Sequence, residues 1–343
     1  MMKHTIQVIS AILLACSCMM ACKKSMNTAL RGMNAGNAPN FYIAGQSNSS
    51  PCLWINGTKN VLSGSAGNAC QVLVNGSDVY VAGWLDLPTG SADLNPGGFS
   101  PVQYVYWKNG AENKIGGTVY EIIPLAPTIS IVGNNVYYAN RLPWENSAPL
   151  DFGLSNEGFV QMVTSDDPDV YFVGTDGAGK MAYWKNGIEN SVIPNETGAG
   201  AAYSIAVSSG NVYVGGADSP GTVWTNGIPE NLHTPIPGSY AVAVSSLFAS
   251  GADIYAVAPM MAPTYSSNGN YFDFYSIPAY WKNGLENDLP LNGDPYGNAN
   301  SVFVSGSDVY VCGRTASGAV YWKNGTETVL GPDYGAISSI LIQ

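Results

Sequence analysis

The chain has 343 residues, with 13 Lys and Arg against 24 Asp and Glu, a formal charge of −11, and 11% charged residues. That balance excludes nucleic-acid binding, which needs clustered cations. Glycine is abundant at 40 and 46% of residues are hydrophobic, a mix suited to short strands and tight turns rather than to disorder, in a chain of normal length for one closed all-β ring.

The first segment reads as an address. Met1-Met2-Lys3 is a short positive region, and Ile6 to Ala15 is an apolar stretch too short to stay as a transmembrane helix. Ala21-Cys22 followed by Lys23-Lys24 looks like a bacterial lipoprotein cleavage site, with Cys22 lipidated. Leu13-Leu14-Ala15-Cys16 is the competing site; Cys22 is preferred because the lysines end the apolar stretch. A secretory signal without lipid is the remaining alternative. Residues 1–21 are thus expected to be a signal peptide, and 22–39 the lipidated cysteine with a flexible tether of small polar residues. Removing residues 1–21 takes away Lys3 and no acid, so 13 cations become 12 against 24 acids, a formal −12.

From residue 40 onward one phrase recurs: an apolar pair, Trp, a spacer and Asn-Gly. It surrounds Trp54, Trp107, Trp184, Trp224, Trp281 and Trp322, with a degraded copy at Trp144. The spacings of 53, 37, 40, 40, 57 and 41 residues give a period near 40 with two insertions, the mark of a ring or array of small sheets. Each unit predicts four strands, A to D. In the last, Ser301 to Val304 is A, Asp308 to Gly313 is B, Ala319 to Trp322 is C and Glu327 to Leu330 is D. Asn-Gly between C and D is a strong hairpin signal, because both turn residues must accept positive φ. Every B strand opens on Asp or Asn two residues before Tyr, at 40, 78, 135, 169, 211, 253 and 308. These short side chains read as turn residues that bond the local backbone. The repeated Tyr and Trp read as packing.

The chain ends predict closure. Ile337 to Ile342 is an A strand with no B after it, and Asn40 to Gly45 is a B strand with no A before it. Joined, they complete one sheet and remove two exposed edges. The expected fold is therefore all-β, a seven-bladed β-propeller over 40–343. Its A strands start near Ile337, Cys70, Thr128, Phe159, Tyr203, Tyr240 and Ser301.

The Trp-x-Asn-Gly hairpin at this period resembles bacterial tryptophan-marked propellers, including HAF-type repeats and, more loosely, WD-repeat and kelch-like rings. The resemblance covers roughly residues 40 to 343. It implies the fold and says nearly nothing of activity, since propellers host many unrelated ones.

Function is expected on the face carrying the B–C and D–A connections. Both large insertions are B–C loops, from Trp84 to about Gln103 and from Pro259 to Pro278, and the third blade adds an irregular stretch from Leu142 to Glu157. The second insertion holds Tyr265, Tyr271, Phe272, Phe274 and Tyr275, more aromatics than a linker needs. Six residues after each B-strand Asp or Asn the chain is expected to leave the sheet, at Gln46, Trp84, Arg141, Thr175, Ala217, Pro259 and Arg314. Two of the chain's three arginines stand at this one position. Arg offers a planar fork for carboxylates and Trp a face for a ring. The candidate ligand-binding residues are Gln46, Trp84, Arg141, Arg314, Tyr271, Phe272, Phe274 and Tyr275.

Enzyme readings are weaker. The mature chain has one histidine, His233, placed in a D strand at a blade's outer edge, which argues against a Ser-His-Asp site at the hub and any His-rich metal site. No catalytic residue, cofactor or metal is expected. Cys52, Cys70 and Cys312 read as buried thiols, with a Cys52–Cys312 bridge as the alternative. The expected role is an envelope-tethered lipoprotein, placed at the outer membrane. It binds or scaffolds without catalysis, its ligand an acidic glycan or peptide. A glycan hydrolase or lyase using Asp176, Asp218 or Glu157 is the second reading, and a structural subunit of an envelope complex the third.

Overall fold

The computed structural model describes residues 39–88, 100–121, 126–154, 158–192, 201–217, 221–265, 271–331 and 334–343, with the backbone alone for 121, 264, 265 and 271–274. Within these residues the chain is all-β, a propeller-like set of four-stranded antiparallel sheets. Strands A to D of sheet 1 are Ala336–Ile342, Phe41–Ser47, Ser50–Ile55 and Thr58–Val61. Sheet 2 has Gly67–Asn75, Asp78–Asp86, Ser100–Lys108 and Ala111–Glu121. Sheet 3 has Thr128–Val132, Asn135–Asn140, Leu142–Glu145 and Ala148–Pro149. Sheet 4 has Phe159–Asp166, Asp169–Thr175, Met181–Lys185 and Ile188–Ser191. Sheet 5 has Ala202–Ser208, Asn211–Gly216, Thr222–Thr225 and Ile228–Asn231. Sheet 6 has Ser246–Ser250, Asp253–Val257, Ala279–Lys282 and Leu285–Asp288, and sheet 7 has Gly297–Ser305, Asp308–Thr315, Gly318–Lys323 and Thr326–Val329. An eighth, three-stranded sheet holds Tyr240–Ala241, Met260–Tyr265 and Tyr271–Ile277. In sheet 1 the two ends of the chain pair, Phe41 opposite Ile342 and Ile43 opposite Ile340.

Each C–D turn has positive φ at both residues, as Asn-Gly predicts: Asn324 stands at 49° and Gly325 at 78°. The asparagine does more than turn. Its Oδ1 accepts the amide of the residue that follows the B-strand Asp or Asn, at 2.8–3.0 Å in all seven sheets. Its Nδ2 donates to that Asp or Asn at 2.7–3.0 Å. Its own amide donates to the carbonyl of the residue that follows that Asp or Asn. The hairpin tip is thus stitched to the start of strand B.

A second pairing rides on the first. Where strand B opens on Asp, the residue before Asn-Gly is Lys: Asp78 with Lys108, Asp169 with Lys185, Asp253 with Lys282 and Asp308 with Lys323, at 2.7–2.8 Å. Where it opens on Asn40, Asn135 or Asn211, that residue is Ile55, Glu145 or Thr225. Each of these lysines also lies over a B-strand Tyr ring, 5.3–5.4 Å from its centroid. The lysine, then the asparagine, holds each of the four carboxyls below the usual carboxylate range. Their contribution is present above the ordinary Asp pKa and fades as pH falls.

Trp54, Trp107, Trp184, Trp224, Trp281 and Trp322 are fully buried. A ring of this size removes about 150–250 Å² from water, roughly 4–6 kcal/mol each. In four sheets the connection entering the sheet covers its Trp. Tyr334 stacks on Trp54 at 4.5 Å and Phe152 on Trp184 at 5.6 Å. Trp281 and Trp322 donate Nε1 to the carbonyls of His233 and Pro290, at 2.8 and 2.9 Å.

Near the hub, five A strands carry a bulge, at Cys70, Gln161, Tyr203, Asn300 and Ser338. Opposite each stands a B-strand glycine: Gly83, Gly174, Gly216, Gly313 and Gly45. A Cβ there would press on an A-strand carbonyl. The equivalent residues in sheets 3 and 6 are Asn140 and Ala258, and no bulge occurs there. One A-strand position then holds Ser339, Gln71, Thr128, Met162, Ser204, Ser246 and Ser301, all buried. Several of these side chains bond to the neighbouring sheet or to the segment that leads into it. Gln71 Oε1 accepts from Ile129 N at 2.6 Å, Thr128 Oγ1 from Val163 N at 2.8 Å, and Ser204 Oγ donates to Val244 O at 2.7 Å.

The structure corrects four expectations. The sixth A strand is Ser246–Ser250, because a two-residue turn into Asp253 requires it to end there; Tyr240–Ala241 pairs instead with Met261 and Met260. The first part of the stretch, Leu142 to Pro149, is not irregular: Asn146 and Ser147 take the turn's positive φ at 48° and 65°, and two strands pair around it. Both insertions begin as paired strands: the first prolongs the hairpin of sheet 2, and the second builds the three-stranded sheet. His233 lies beyond strand D, which ends at Asn231. Cys52, Cys70 and Cys312 are buried free thiols, and burial pushes the Cys312 thiol up to about 12.

The stitch predicts an asymmetric mutational result. Asn324→Ala removes two side-chain hydrogen bonds and leaves the Cβ at positive φ without the polar group that makes Asn tolerable there, so it should cost about 2–3 kcal/mol in urea unfolding. Lys323→Ala breaks an exposed ion pair and an exposed contact with the Tyr310 ring, and should lower stability by less than about 1 kcal/mol.

Candidate functional site

The two faces differ in how much freedom they leave. One carries the A–B turns and the stitched C–D hairpins, with little room for variation. The other carries the B–C and D–A connections, where lengths and side chains diverge.

The candidate residues fall on this second face in different settings. Gln46 lies inside strand Phe41–Ser47 and donates Nε2 to Gly67 O at 2.8 Å, tying sheet 1 to sheet 2. Trp84 lies inside strand Asp78–Asp86, opposite Asn68 and Tyr104, half-buried against the core. Arg314 lies inside strand Asp308–Thr315, opposite Asn298 and Ala319, with an exposed side chain. Arg141 is the single reversing residue between Asn140 and Leu142, exposed, at φ 51°. Its carbonyl accepts Val160 N of sheet 4 at 2.7 Å. A left-handed backbone at a non-glycine, non-Asn residue is strained and is held here by its neighbours. The position that the sequence places outside the sheets is thus inside them for Gln46, Trp84, Thr175 and Arg314, because B strands in these sheets run one or more residues past the repeated glycine. Trp84 is consequently a packing element as well as a candidate contact.

Tyr271, Phe272, Phe274 and Tyr275 lie in strand Tyr271–Ile277; Tyr275 is exposed, and the other three side chains lie outside the described residues. The lipidation candidates Cys22 and Cys16 also lie outside them. The structure brings Arg314 together with the base of the three-stranded sheet. A Cβ on Gly297 would stand 3.1 Å from Arg314 O and 3.3 Å from Pro278 Cγ, so glycine lets that sheet sit against sheet 7. Tyr296, one residue before, is 54% exposed. It belongs to this sector but not to the repeat, so no periodic signal marks it.

The acids of the hydrolytic reading are placed unevenly. Asp176 Oδ1 accepts the amides of Ala178 and Lys180, both at 2.8 Å, which makes it a turn residue. Asp218 and Glu157 lie outside the described residues. Among the described residues no group of three His, Cys, Asp or Glu could hold a metal ion. No helix of the described residues is long and apolar enough to cross a membrane.

One acid that the repeat hides is Glu286, in strand D of sheet 6 opposite Trp281. Both its carboxyl oxygens are buried without a hydrogen-bond partner. Burial, then Asp288 two residues along the strand, pushes it up to about 8.

No family model matches the chain, and no curated protein matches it. Among solved structures, it is similar to the computationally designed Ika8 protein at 15% identity and a TM-score of 0.46, covering 94% of this chain and 89% of that one. It is also similar to a chain from a study of two prolyl endopeptidases, at 10% identity and 0.43, covering 88% and 49%. A third is Citrobacter koseri AztD, at 9% and 0.39, covering 89% and 98%. At TM-scores below 0.5 these are distant likenesses, and the reading of this chain rests on its own residues.

Glu286 predicts a pH effect of definite sign. Its folded pKa lies above the ordinary 4.5, so folding favours the neutral acid. That stabilisation is complete below about 4.5 and is lost as pH rises through about 8. Glu286→Gln should melt like the parent at pH 5 and several degrees higher at pH 9, read by circular dichroism.

Proposed function

We propose that this chain is a seven-bladed β-propeller, closed by the sheet its two ends share, and that it acts as a non-enzymatic binding or scaffolding protein. The seven-blade reading takes the three-stranded sheet as an insertion. Two of its strands fall between Val257 and Ala279, inside the B–C connection of sheet 6, and the third precedes that sheet. Support for the ring comes from the hub. Ser339 Oγ accepts Val72 N of sheet 2 at 3.4 Å, and Asn300 Nδ2 of sheet 7 donates to Ile337 O of sheet 1 at 2.8 Å. Side-chain-to-backbone bonds thus link sheet 1 to both sheet 2 and sheet 7. The protein is tethered to the bacterial cell envelope, at the outer membrane, by lipid on Cys22, or on Cys16 if cleavage falls earlier.

Closure has a direct test. Ile337, Ile340, Leu341 and Ile342 are all buried. At about 1.5–3 kcal/mol each they approach the whole stability of a domain, about 5–15 kcal/mol. Deleting residues 337–343 should give insoluble protein or a melting point lower by tens of degrees. A truncated protein that melts with the parent sinks the shared sheet.

The ligand is an acidic glycan or an acidic peptide on the loop-rich face. One observation carries this: Arg141 and Arg314, the two arginines of the folded region, are both exposed at the ends of B strands on that face. Residues 40–343 should retain ligands from a glycan and peptide array. Arg141→Ala and Arg314→Ala should each weaken retention about tenfold, the low end for a charge-assisted bond, with melting unchanged. Trp84→Ala should also lower stability, by about 2 kcal/mol, because that ring is half-buried. Normal binding by both arginine variants would move the site elsewhere.

A further inference from the structure

The three-stranded sheet leaves one edge without a strand partner. Met260–Tyr265 is its centre, with Tyr240–Ala241 on one side and Tyr271–Ile277 on the other. Among the described residues, Tyr271–Ile277 pairs only with that centre. The register shows which backbone groups face out. Pro263 stands opposite Phe274 and has no N–H to give. That pair is therefore of the type without exchanged bonds, and the type alternates along the strand. Ala262 with Tyr275 and Met260 with Ile277 exchange bonds, while Phe274 and Ser276 turn N–H and C=O to the open side. Met261, opposite Ser276, then faces the other way, and it does pair with Tyr240.

Edge strands are normally blunted by shortness, charge, proline or a bulge. The outer edges of the four-stranded sheets show this. Strands Thr58–Val61, Ile188–Ser191, Ile228–Asn231, Leu285–Asp288 and Thr326–Val329 have four residues each and carry Lys59, Glu189, Pro229 and Glu230, Glu286 and Asp288, and Glu327. Tyr271–Ile277 has seven residues with Asp273 as its one charge, and its register shift lies at the outer end. Its inner part, from Phe274 to Ile277, is regular and carries no charge or proline. It runs beside sheet 7, where Gly297 admits Pro278 against the backbone of Arg314. Tyr275 and Tyr296 are 36% and 54% exposed in this sector.

A row of outward N–H and C=O groups at strand spacing is matched by an extended backbone and not by a sugar. The exposed guanidinium of Arg314 adds a preference for a carboxylate. We propose that the edge Asp273–Ile277 takes up an extended segment of a partner protein by strand addition, an acidic side chain of that segment meeting Arg314. This rests on the binding reading above and selects the peptide over the glycan.

The test pans a phage-displayed library of random ten-residue peptides on residues 40–343, with oligogalacturonate as an acidic-sugar probe. The expected result is enrichment of peptides with alternating apolar residues and at least one Asp or Glu. Ser276→Pro should reduce their binding by about tenfold, one outward hydrogen bond lost, with melting unchanged. Arg314→Ala should keep the alternation and lose the acidic preference. Hydrogen exchange on the unaltered protein should show the Phe274 and Ser276 amides slowed by an enriched peptide and the Tyr275 amide unaffected. Peptide binding that leaves those two amides unprotected overturns strand addition. Oligogalacturonate bound in place of peptides overturns it too, and leaves the binding reading standing. Protection of the same amides by dimerisation alone, seen in sedimentation, assigns the edge to a second copy and overturns the proposal. Retention of neither probe overturns the binding reading itself.

Discussion

Everything in this molecule hangs on one side-chain amide used seven times. The asparagine at each C–D turn accepts a strand-B amide and donates to the Asp or Asn beside it, while its backbone supplies the positive φ of the hairpin. A carboxamide is suited to this because it holds donor and acceptor a fixed distance apart. Asp lacks the donor, and Gly supplies the turn without the bonds. With strand C locked to strand B at the tip, the Trp two residues earlier is aimed at the covering connection in sheets 1, 4, 6 and 7. The lysine that pairs with Asp is an addition to this unit, present where a carboxylate can use it and replaced where Asn stands instead.

That division leaves one face repetitive and the other free to differ. Stitched tips tolerate few side chains. The opposite ends of the strands are held mainly by backbone pairing, so they can be lengthened, as in sheet 2, or diverted into a second sheet, as beside sheet 6. The strained Arg141 and exposed Arg314 lie there, on strand ends whose geometry is set by stitches at the far tips. A binding surface built this way changes without disturbing what holds the protein together.

The fold was legible because its signals are local. Asn-Gly needs only its own φ values, and Trp recurs because each covering segment meets the same surface. The degraded repeat misled because Ser147 at positive φ looks unlike glycine, yet Asn146 carries the stitch regardless. The link between a B-strand glycine and an A-strand bulge was in the sequence as Gly45, Gly83, Gly174, Gly216 and Gly313. Its cause is an approaching carbonyl from another strand, which no residue type announces. The site was less legible for the same reason. Trp84 looks like a loop residue until Asn68 and Tyr104 are seen to flank it in the ladder. Glu286 matches Glu112, Glu189 and Glu327 in the repeat, and what sets it apart is the surroundings that strip its carboxyl of donors.

The pairing of Phe41–Ser47 with Ala336–Ile342 governs the order in which this protein can become complete. A ribosome makes strand B of sheet 1 before all the other sheets and strand A of sheet 1 after them. Until Ile342 has emerged, Phe41–Ser47 has a bare edge, and the side chains beside it have nothing to pack on. Strand-by-strand folding in the direction of synthesis therefore leaves an unfinished seam, and joining segments so distant in sequence is slow. A chain interrupted near its end would present that seam to any other extended strand. Strand Ala336–Ile342 thus acts as a check on synthesis: only a chain made as far as Ile342 can bury Phe41–Ser47.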